Sequence, residues 1–234
     1  MINWAYLWEN FCTQVFKLGG YKTILQGLQN TLIIAIGGFI IGLILGAILA
    51  IMQLLPESKF AKVLGAISKN YVGFFRGTPI VVQLLLGWYV LKPILGIRGA
   101  NATVWGMVIF GMNSGAYVSE IIRGGIMSID KGQMEAGRSL GLGYMKTMMK
   151  IVLPQAFKNS LPSLGNELVA IVKETSVAGF VSVVDLQVAF KAQDTVYNPI
   201  ICYIALAVVY IVLVALFTLI IKLVERRLRV SDNR

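Results

Sequence analysis

Few residues in this 234-residue chain could do chemistry. It has no histidine, and its two cysteines, Cys12 and Cys202, lie far apart with no CxxC or other metal-ligand spacing. This composition excludes the usual Ser/His/Asp, Cys/His and His-based metal sites. Gly132 to Ser139 nearly fits the phosphate-binding G-x-x-x-x-G-K-[ST] loop, but Arg138 replaces the lysine and no strand precedes it. We expect neither a metal site nor an ATP site in this chain.

The remaining candidates are polar side chains inside apolar stretches. Three of them follow one another at steps of four and three and so share one helix face, and two further pairs stand seven residues, or two helical turns, apart. The three are Asn113, Tyr117 and Glu120, and the pairs are Asn166 with Glu167 and Lys173 with Glu174. Ionisable groups are costly inside a membrane and often mark a transport pathway. All seven are therefore candidate pathway residues.

Two of the charged groups near these positions have simpler explanations. Glu120 can pair with Arg123 at i, i+3 as a structural salt bridge, which we favour over a substrate role. Arg76 opens the segment Arg76 to Pro79, in which Thr78 is held out of the helical region by the following proline. We expect this segment to be a loop that begins a span and shapes the cytoplasmic mouth.

The composition of the whole chain shows which elements must position these residues. It has 57% hydrophobic and only 14% charged residues, with a mean hydropathy of +0.75. A soluble domain has roughly 45–50% apolar and about 25% charged residues. The chain is therefore an integral membrane protein, and we expect it to be all-α.

Five spans are expected, because a helix needs about 20 residues to cross the hydrocarbon core. Three long stretches without a charged residue qualify directly. The stretch 77–91 is short unless Tyr71 to Phe75 extends it, and the stretch 159–184 is interrupted by charges. In chain order, the expected spans are 23–56, 77–91 with its extension, 99–119, 159–184 and 195–221.

The lysines and arginines predict the orientation of these spans. Of the 21, 15 fall on one side: between spans one and two, between spans three and four, and after span five. Cytoplasmic loops carry an excess of these residues. The N-terminus is therefore expected outside the cell and the C-terminus in the cytoplasm. Within span one, Gly38, Gly42 and Gly46 form a small-residue stripe that predicts close packing with another helix.

The connection from about Glu120 to Ser160 is too long for a simple loop. The spacing predicts a short helix, a break at Gly141, and a second helix that ends near Pro154. Its apolar residues exceed what a solvated loop needs, which suggests a protein partner or the membrane face. These residues are Met134, Leu140, Leu142, Met145, Met148 and Met149.

The same loop resembles a known family. Its spacing, Glu-Ala-x4-Gly-x9-Ile-x-Leu-Pro, is similar to the EAA signature of permease subunits of bacterial ATP-binding-cassette importers, with Gly137 where the third alanine usually sits. The matching residues are Glu135, Ala136, Gly137, Arg138, Ser139, Leu140, Gly141, Ile151, Leu153 and Pro154. Segments 75–79, 114–126, 164–167 and 173–176 also resemble the polar-amino-acid branch. The resemblance extends from about Gly27 to Arg229.

The resemblance implies a type I importer fold and a non-catalytic subunit. The helix around Glu135 to Leu142 would be a coupling helix in a groove of an ATPase subunit. The implied partners are two ATPase subunits that carry ATP and Mg²⁺, a second permease subunit, identical or not, an extracytoplasmic amino-acid-binding protein and membrane lipid, without nucleic acid. The implied organisation is an extracytoplasmic segment 1–22, a permease domain 23–224 with a cytoplasmic coupling loop at about 121–160, and a cytoplasmic tail 225–234.

Two other functions remain open at this point. In an ion-coupled secondary transporter or channel, Glu120, Glu167, Lys173 and Glu174 would form an ion or proton relay. The coupling loop argues against that reading. A membrane enzyme would need a catalytic constellation, which the residue types do not supply.

Overall fold

The computed structural model describes residues 3–55, 58–99, 101–194 and 200–230, with side chains to residue 227. These residues form helices and turns, with no strand among them. In chain order the α-helices of four or more residues are α1 (Trp4–Cys12), α2 (Tyr21–Leu54), α3 (Lys59–Gly77), α4 (Ile80–Leu86), α5 (Ala102–Met127), α6 (Lys131–Ser139), α7 (Tyr144–Thr147), α8 (Leu153–Glu174), α9 (Leu186–Lys191) and α10 (Ile200–Val230). A π-helical turn, Gly87–Leu91, and a three-residue helix, Lys92–Ile94, continue α4. Shorter π-helical and 3₁₀ turns extend several of them.

Two helices in the described ranges are long and apolar enough to cross a membrane by length and composition alone, and they are α2 and α10. A third candidate arises if α3 and α4 are counted as one broken span. Helices α2 and α10 correspond to the predicted spans one and five, whose predicted limits Pro56 and Thr195 lie outside the described residues. Predicted span three lies mostly within α5, which continues past Ser119 to Met127.

The structure departs from the prediction for span two in one respect. Tyr71 to Phe75 do not extend it as one continuous helix, because they belong to α3, which ends at Gly77 and is bent by 106° relative to the helix that follows. Thr78 is extended, with φ −124° and ψ 144°, as expected for a residue before proline. Arg76 is therefore the penultimate residue of a helix, and the expected loop is reduced to Thr78 and Pro79.

The prediction for the helix after Gly141 was also wrong. Helix α7 does not end near Pro154 but continues through a π-helical turn, Met148–Val152, into α8. Proline has no N–H to donate, and a π-helical turn lets the helix pass such a position. The helical part of predicted span four thus begins earlier and ends at Glu174, where the 3₁₀ turn Thr175–Val181 takes over.

The chain divides into two compact units. The first comprises 1–38, 79–110 and 169–217. In its core, buried Leu186 and Phe190 of α9 pack with Leu206 of α10, and Phe11 of α1 lies against them. Helix α1 was not expected from the sequence. Asn3 caps its start, because the Asn3 side chain accepts a hydrogen bond from the Tyr6 backbone N–H at 3.1 Å.

The second unit comprises 39–78, 111–168 and 218–234, and it contains the long connection 121–160. Two glycines of the stripe in α2, Gly42 and Gly46, meet α5 here, which confirms the predicted close approach at these two positions. A Cβ at Gly42 would lie 2.7 Å from Ser114 Oγ, and one at Gly46 would lie 2.5 Å from Val118 Cγ1 and 2.9 Å from the Gly115 carbonyl oxygen. Only residues without a side chain fit at such a distance.

Candidate functional site

Helix α6 begins at a side-chain cap. Asp130 Oδ1 accepts a hydrogen bond from the Gly132 backbone N–H at 2.6 Å, which satisfies one of the free donors at the helix start. Glu135 is exposed on α6 and is not the capping residue. Apart from half-buried Met134 and buried Gly137, the residues of α6 are exposed. The helix therefore presents most of its surface outward from the second unit.

Helix α6 ends at Ser139, and the chain turns at Gly141, where the sequence predicts the break. Gly141 has a φ of +84°, the left-handed conformation that glycine adopts without strain. Its backbone N–H donates to the Arg138 carbonyl at 3.0 Å, and the Leu142 N–H donates to the Gly137 carbonyl at 3.1 Å. This pair of bonds is the Schellman motif, in which the reversed turn satisfies the last carbonyls of a helix.

Gly137 is the buried contact that ties α6 to the following helix. A Cβ at this position would lie 2.5 Å from Thr147 Cγ2, 3.0 Å from Thr147 Oγ1 and 3.1 Å from Ile151 Cδ1. Thr147 is fully buried, and its hydroxyl donates to the Gly143 carbonyl at 3.2 Å. Glycine stands in place of the expected alanine at position 137 because the Thr147 side chain occupies the space that an alanine Cβ would need.

Apolar side chains around the Gly141 turn are exposed. Leu140 is 82% exposed, Met145 67% and Met149 60%, and Tyr144 is also exposed. Single exposed apolar residues are common, but several within ten residues of a loop form a surface suited to a partner. Three of the six apolar residues predicted to form a surface, Leu140, Met145 and Met149, are therefore exposed. The other three, Met134, Leu142 and Met148, are half-buried.

The structure brings the three same-face pathway candidates of α5 next to the end of α3. Asn113 is buried, and its Nδ2 donates to the Phe75 carbonyl at 3.3 Å. The Arg76 guanidinium carbon lies 5.4 Å from the centre of the Tyr117 ring, a cation–π contact. Arg76 Nη1 also lies 3.5 Å from Glu120 Oε2. Arg76 thus joins the face that the sequence predicts.

Glu120 is held by two arginines. Arg123 donates from Nε to Oε1 at 3.2 Å and from Nη2 to Oε2 at 2.9 Å, so the structure contains the predicted i, i+3 pair. Glu120 follows the apolar stretch that ends at Ser119, and the hydrogen bonds from Arg123 lower the pKa of its carboxyl. The link to Arg76 escaped the sequence analysis, because the two residues are far apart in the chain.

The other pathway candidates lie along α8. Asn166 is exposed and Glu167 half-buried in the second unit, whereas Lys173 and Glu174, both exposed, belong to the first unit. All four share one helix, as the seven-residue spacing requires. The structure thus brings Asn113, Tyr117 and Glu120 together with Arg76, and it places the second set on a different helix.

A buried polar network in the second unit was missed by the sequence analysis. Gln53 Nε2 donates to Ser68 Oγ at 2.9 Å and to Ser119 Oγ at 3.4 Å. Ser68 in turn donates to the Leu49 carbonyl at 2.9 Å. Both serines are fully buried, and the network joins α2, α3 and α5 beside Glu120. Isolated serines in an apolar segment give no signal of such pairing.

Comparisons with known proteins agree with this geometry. A family model described as "Binding-protein-dependent transport system inner membrane component" matches residues 42–230. The chain is 41% identical to the arginine transport system permease protein ArtQ of Bacillus subtilis (strain 168), over 89% of this chain and 94% of that protein. It is 35% identical to the putative glutamine transport system permease protein GlnP of Rickettsia bellii (strain RML369-C), with the same coverage.

Two solved structures have the same fold. The crystal structure of an amino acid ABC transporter with histidines superposes with a TM-score of 0.81 at 34% identity, covering 91% of this chain and 97% of that chain. The inward-facing MetNI methionine ABC transporter gives 0.66 at 20% identity, covering 97% and 99%, and so supports the fold alone. These matches confirm the all-α type I importer fold and the family that the resemblance implies. The chain belongs to the family of inner-membrane components of binding-protein-dependent transport systems.

Proposed function

We propose that this chain is the permease subunit of an ATP-driven importer and forms the transmembrane pathway for a polar or charged L-amino acid. The observation that carries the proposal is the α6 turn: a capped helix, a Schellman motif at Gly141, and exposed Leu140, Met145 and Met149 beside it. The similarity to amino-acid permeases supports the class of substrate.

The proposed complex contains two ATPase subunits, a second permease subunit and an extracytoplasmic amino-acid-binding protein. The ATPase subunits carry the ATP and Mg²⁺, and this chain hydrolyses nothing itself. The expected residues of the coupling surface are those of the loop from Glu135 to Gly141 with Ile151, Leu153 and Pro154. A short helix tied to the rest of its unit through Gly137 and Thr147 can transmit movement, because a close-packed contact resists deformation.

We also propose an orientation for the chain. The excess of lysine and arginine in the loop 121–160 and the tail 225–234 supports a cytoplasmic position for both, with the N-terminal segment 1–22 outside. The permease domain is proposed to cover 23–224. This arrangement presents α6 to a cytoplasmic ATPase.

The proposed pathway uses groups of both signs. A zwitterionic amino acid must exchange its water for protein groups or helix ends. Asn113 and Tyr117 lie on α5, and Lys173 and Glu174 supply a cation and a carboxylate on α8. Glu120 is already paired with two arginines, which favours a positioning role for its carboxylate over direct contact with the substrate.

The decisive experiment measures uptake by proteoliposomes. They would contain the complete complex, with the ATPase subunits and ATP on one face and the binding protein with labelled amino acids on the other. We expect uptake of a polar or charged L-amino acid that requires ATP and is insensitive to proton and sodium gradients.

A variant of the loop surface and a matched control test the proposed contact with the ATPase. The double variant Leu140→Ser, Met145→Ser should lose ATP-driven uptake and copurification of the ATPase. The control Phe60→Ser, at an exposed position of α3, should keep both. Transport that follows an imposed ion gradient without ATP would contradict the importer and support the secondary transporter.

A further inference from the structure

A cavity of about 530 Å³ lies in the second unit between α5 and α8. Its volume falls within the range of small-molecule sites, roughly 300–1,000 Å³. The polar side chains that line it are Glu120, Ser128, Lys158, Asn159, Ser160 and Ser163.

Two neighbouring glycines of α5 create the space. A Cβ at Gly125 would collide with Ser160 Oγ and lie 2.9 Å from the Ala156 carbonyl oxygen, so the helices touch at this point. A Cβ at Gly124 would meet nothing within 4 Å. The helices are thus pinned together at Gly125, and the neighbouring Gly124 leaves the cavity open.

The lining combines hydrogen-bond donors with one lysine and one glutamate. Asn159 Nδ2 donates to Ser128 Oγ at 2.9 Å, which orients both groups at the rim. Lys158 contributes an ammonium group. Glu120 brings the cavity's carboxylate, but Arg123 and Arg76 already lie 2.9 Å and 3.5 Å from its Oε2. Counting the two arginines beside Glu120, which do not themselves line the cavity, three cations among the described side chains (Lys158, Arg76 and Arg123) stand against this one carboxylate.

We propose that this cavity is an anion subsite that takes a carboxylate or phosphate group, with Lys158 as its principal cation and Ser128 and Asn159 as polar partners. Two sources can supply that chemistry at the cytoplasmic end of the chain. One is the carboxylate of the amino acid released from the pathway, a source that rests on the proposed function. The other is the headgroup phosphate of an anionic lipid, which basic pockets between helices bind.

The test uses a cysteine at Ser163 as a reporter of local charge. In the full complex in phosphatidylcholine nanodiscs, with Cys12 and Cys202 replaced by alanine, Ser163→Cys would be modified with an anionic and a cationic methanethiosulfonate. We expect the anionic reagent to be favoured. Lys158→Gln should lower the anionic-to-cationic rate ratio about fivefold, from the Coulomb energy of one charge at a distance of several ångströms. Lys150→Gln, an exposed lysine that does not line the cavity, is the matched control.

Further arms of the test identify the ligand. Protection of the reporter by millimolar L-amino acid or inorganic phosphate indicates a soluble anion, and protection by added phosphatidylglycerol indicates a lipid headgroup. Gly124→Leu should fill the cavity and slow both reagents, whereas Gly73→Leu, which also meets nothing within 4 Å, should not.

Two outcomes would overturn the subsite: a rate ratio that Lys158→Gln leaves unchanged, or no protection by any of these anions. The readout needs neither ATP nor transport. Failure of the subsite is therefore distinguishable from failure of the proposed importer function.

Discussion

Replacing Gly137 by alanine tests whether the loop is fitted to its own neighbour. Alanine is the residue that the family pattern leads one to expect at this position, so the substitution moves the chain toward that pattern. In this protein the new Cβ would lie 2.5 Å from Thr147 Cγ2, with Ile151 Cδ1 at 3.1 Å. Thr147 has no room to retreat, because it is fully buried.

The size of the effect follows from two opposing terms. Carbon atoms pack best at about 3.5–4.0 Å, so α6 and α7 must separate by about 1 Å. Such overpacking costs about 1–3 kcal/mol. Replacing a helical glycine by alanine recovers about 0.5–1 kcal/mol of backbone entropy. We therefore expect Gly137→Ala to destabilise the loop by about 1–2 kcal/mol.

A double-mutant cycle isolates the contact. Thr147→Ser removes Cγ2 but keeps the hydroxyl that donates to the Gly143 carbonyl at 3.2 Å. We expect this change to restore most of the stability that Gly137→Ala removes, with a coupling energy of about 1 kcal/mol. The assay is the melting temperature of the purified complex, together with the amount of amino acid imported per ATP hydrolysed.

A control and a refuting result complete this prediction. Gly73→Ala changes a glycine within α3 whose added Cβ would meet nothing within 4 Å, and it should not lower the melting temperature. Wild-type stability and coupling in Gly137→Ala would refute the reasoning. Failure of Thr147→Ser to rescue it would show that the strain lies elsewhere.

Three further predictions concern the loop and the glycine stripe. Gly141→Val should uncouple ATP hydrolysis from import without removing the protein from the membrane, because a β-branched residue at φ +84° is strained, whereas Gly141→Asn should retain partial coupling. Cysteine at Ser139 should crosslink to the ATPase subunit and resist labelling by an impermeant reagent outside intact cells. Gly46→Leu should lower the melting temperature and cost about 2 kcal/mol or more, because its side chain would meet Val118 and the Gly115 carbonyl.

Each of these predictions has a contrary outcome. Wild-type import by Gly141→Val would show that the turn tolerates a bulky side chain. Labelling of the Ser139 cysteine from outside would reverse the proposed orientation and with it the docking surface. A Gly46→Leu variant as stable as the parent would mean that α2 and α5 can separate at no cost.

The sequence by itself determined the features that depend on neighbouring residues. Composition established a membrane protein, and Pro79 fixed the extended conformation of Thr78. The turn at Gly141 was readable because a glycine follows an amphipathic run. The pair Glu120 and Arg123 followed from a helical spacing of three.

Local signals also misled in two places. Pro154 predicted a helix end, but a π-helical turn carries the chain past it into α8. The apolar residues Tyr71 to Phe75 suggest an extension of span two, but they lie in α3, and Thr78 and Pro79 stand between α3 and the next helix. In both cases the place where a helix ends depends on backbone hydrogen bonds, which the residue types alone do not determine.

Only the tertiary structure decided which distant residues meet. Arg76 reaches Glu120 because α3 packs against α5 over Val72, Phe75 and Ala116. Gly137 must lack a side chain because the chain turns back and places Thr147 against it. Such contacts arise from the packing of whole helices, in which each position is set by many side chains at once. The α5–α8 cavity belongs to the same class, since its donors come from helices joined by the entire coupling loop.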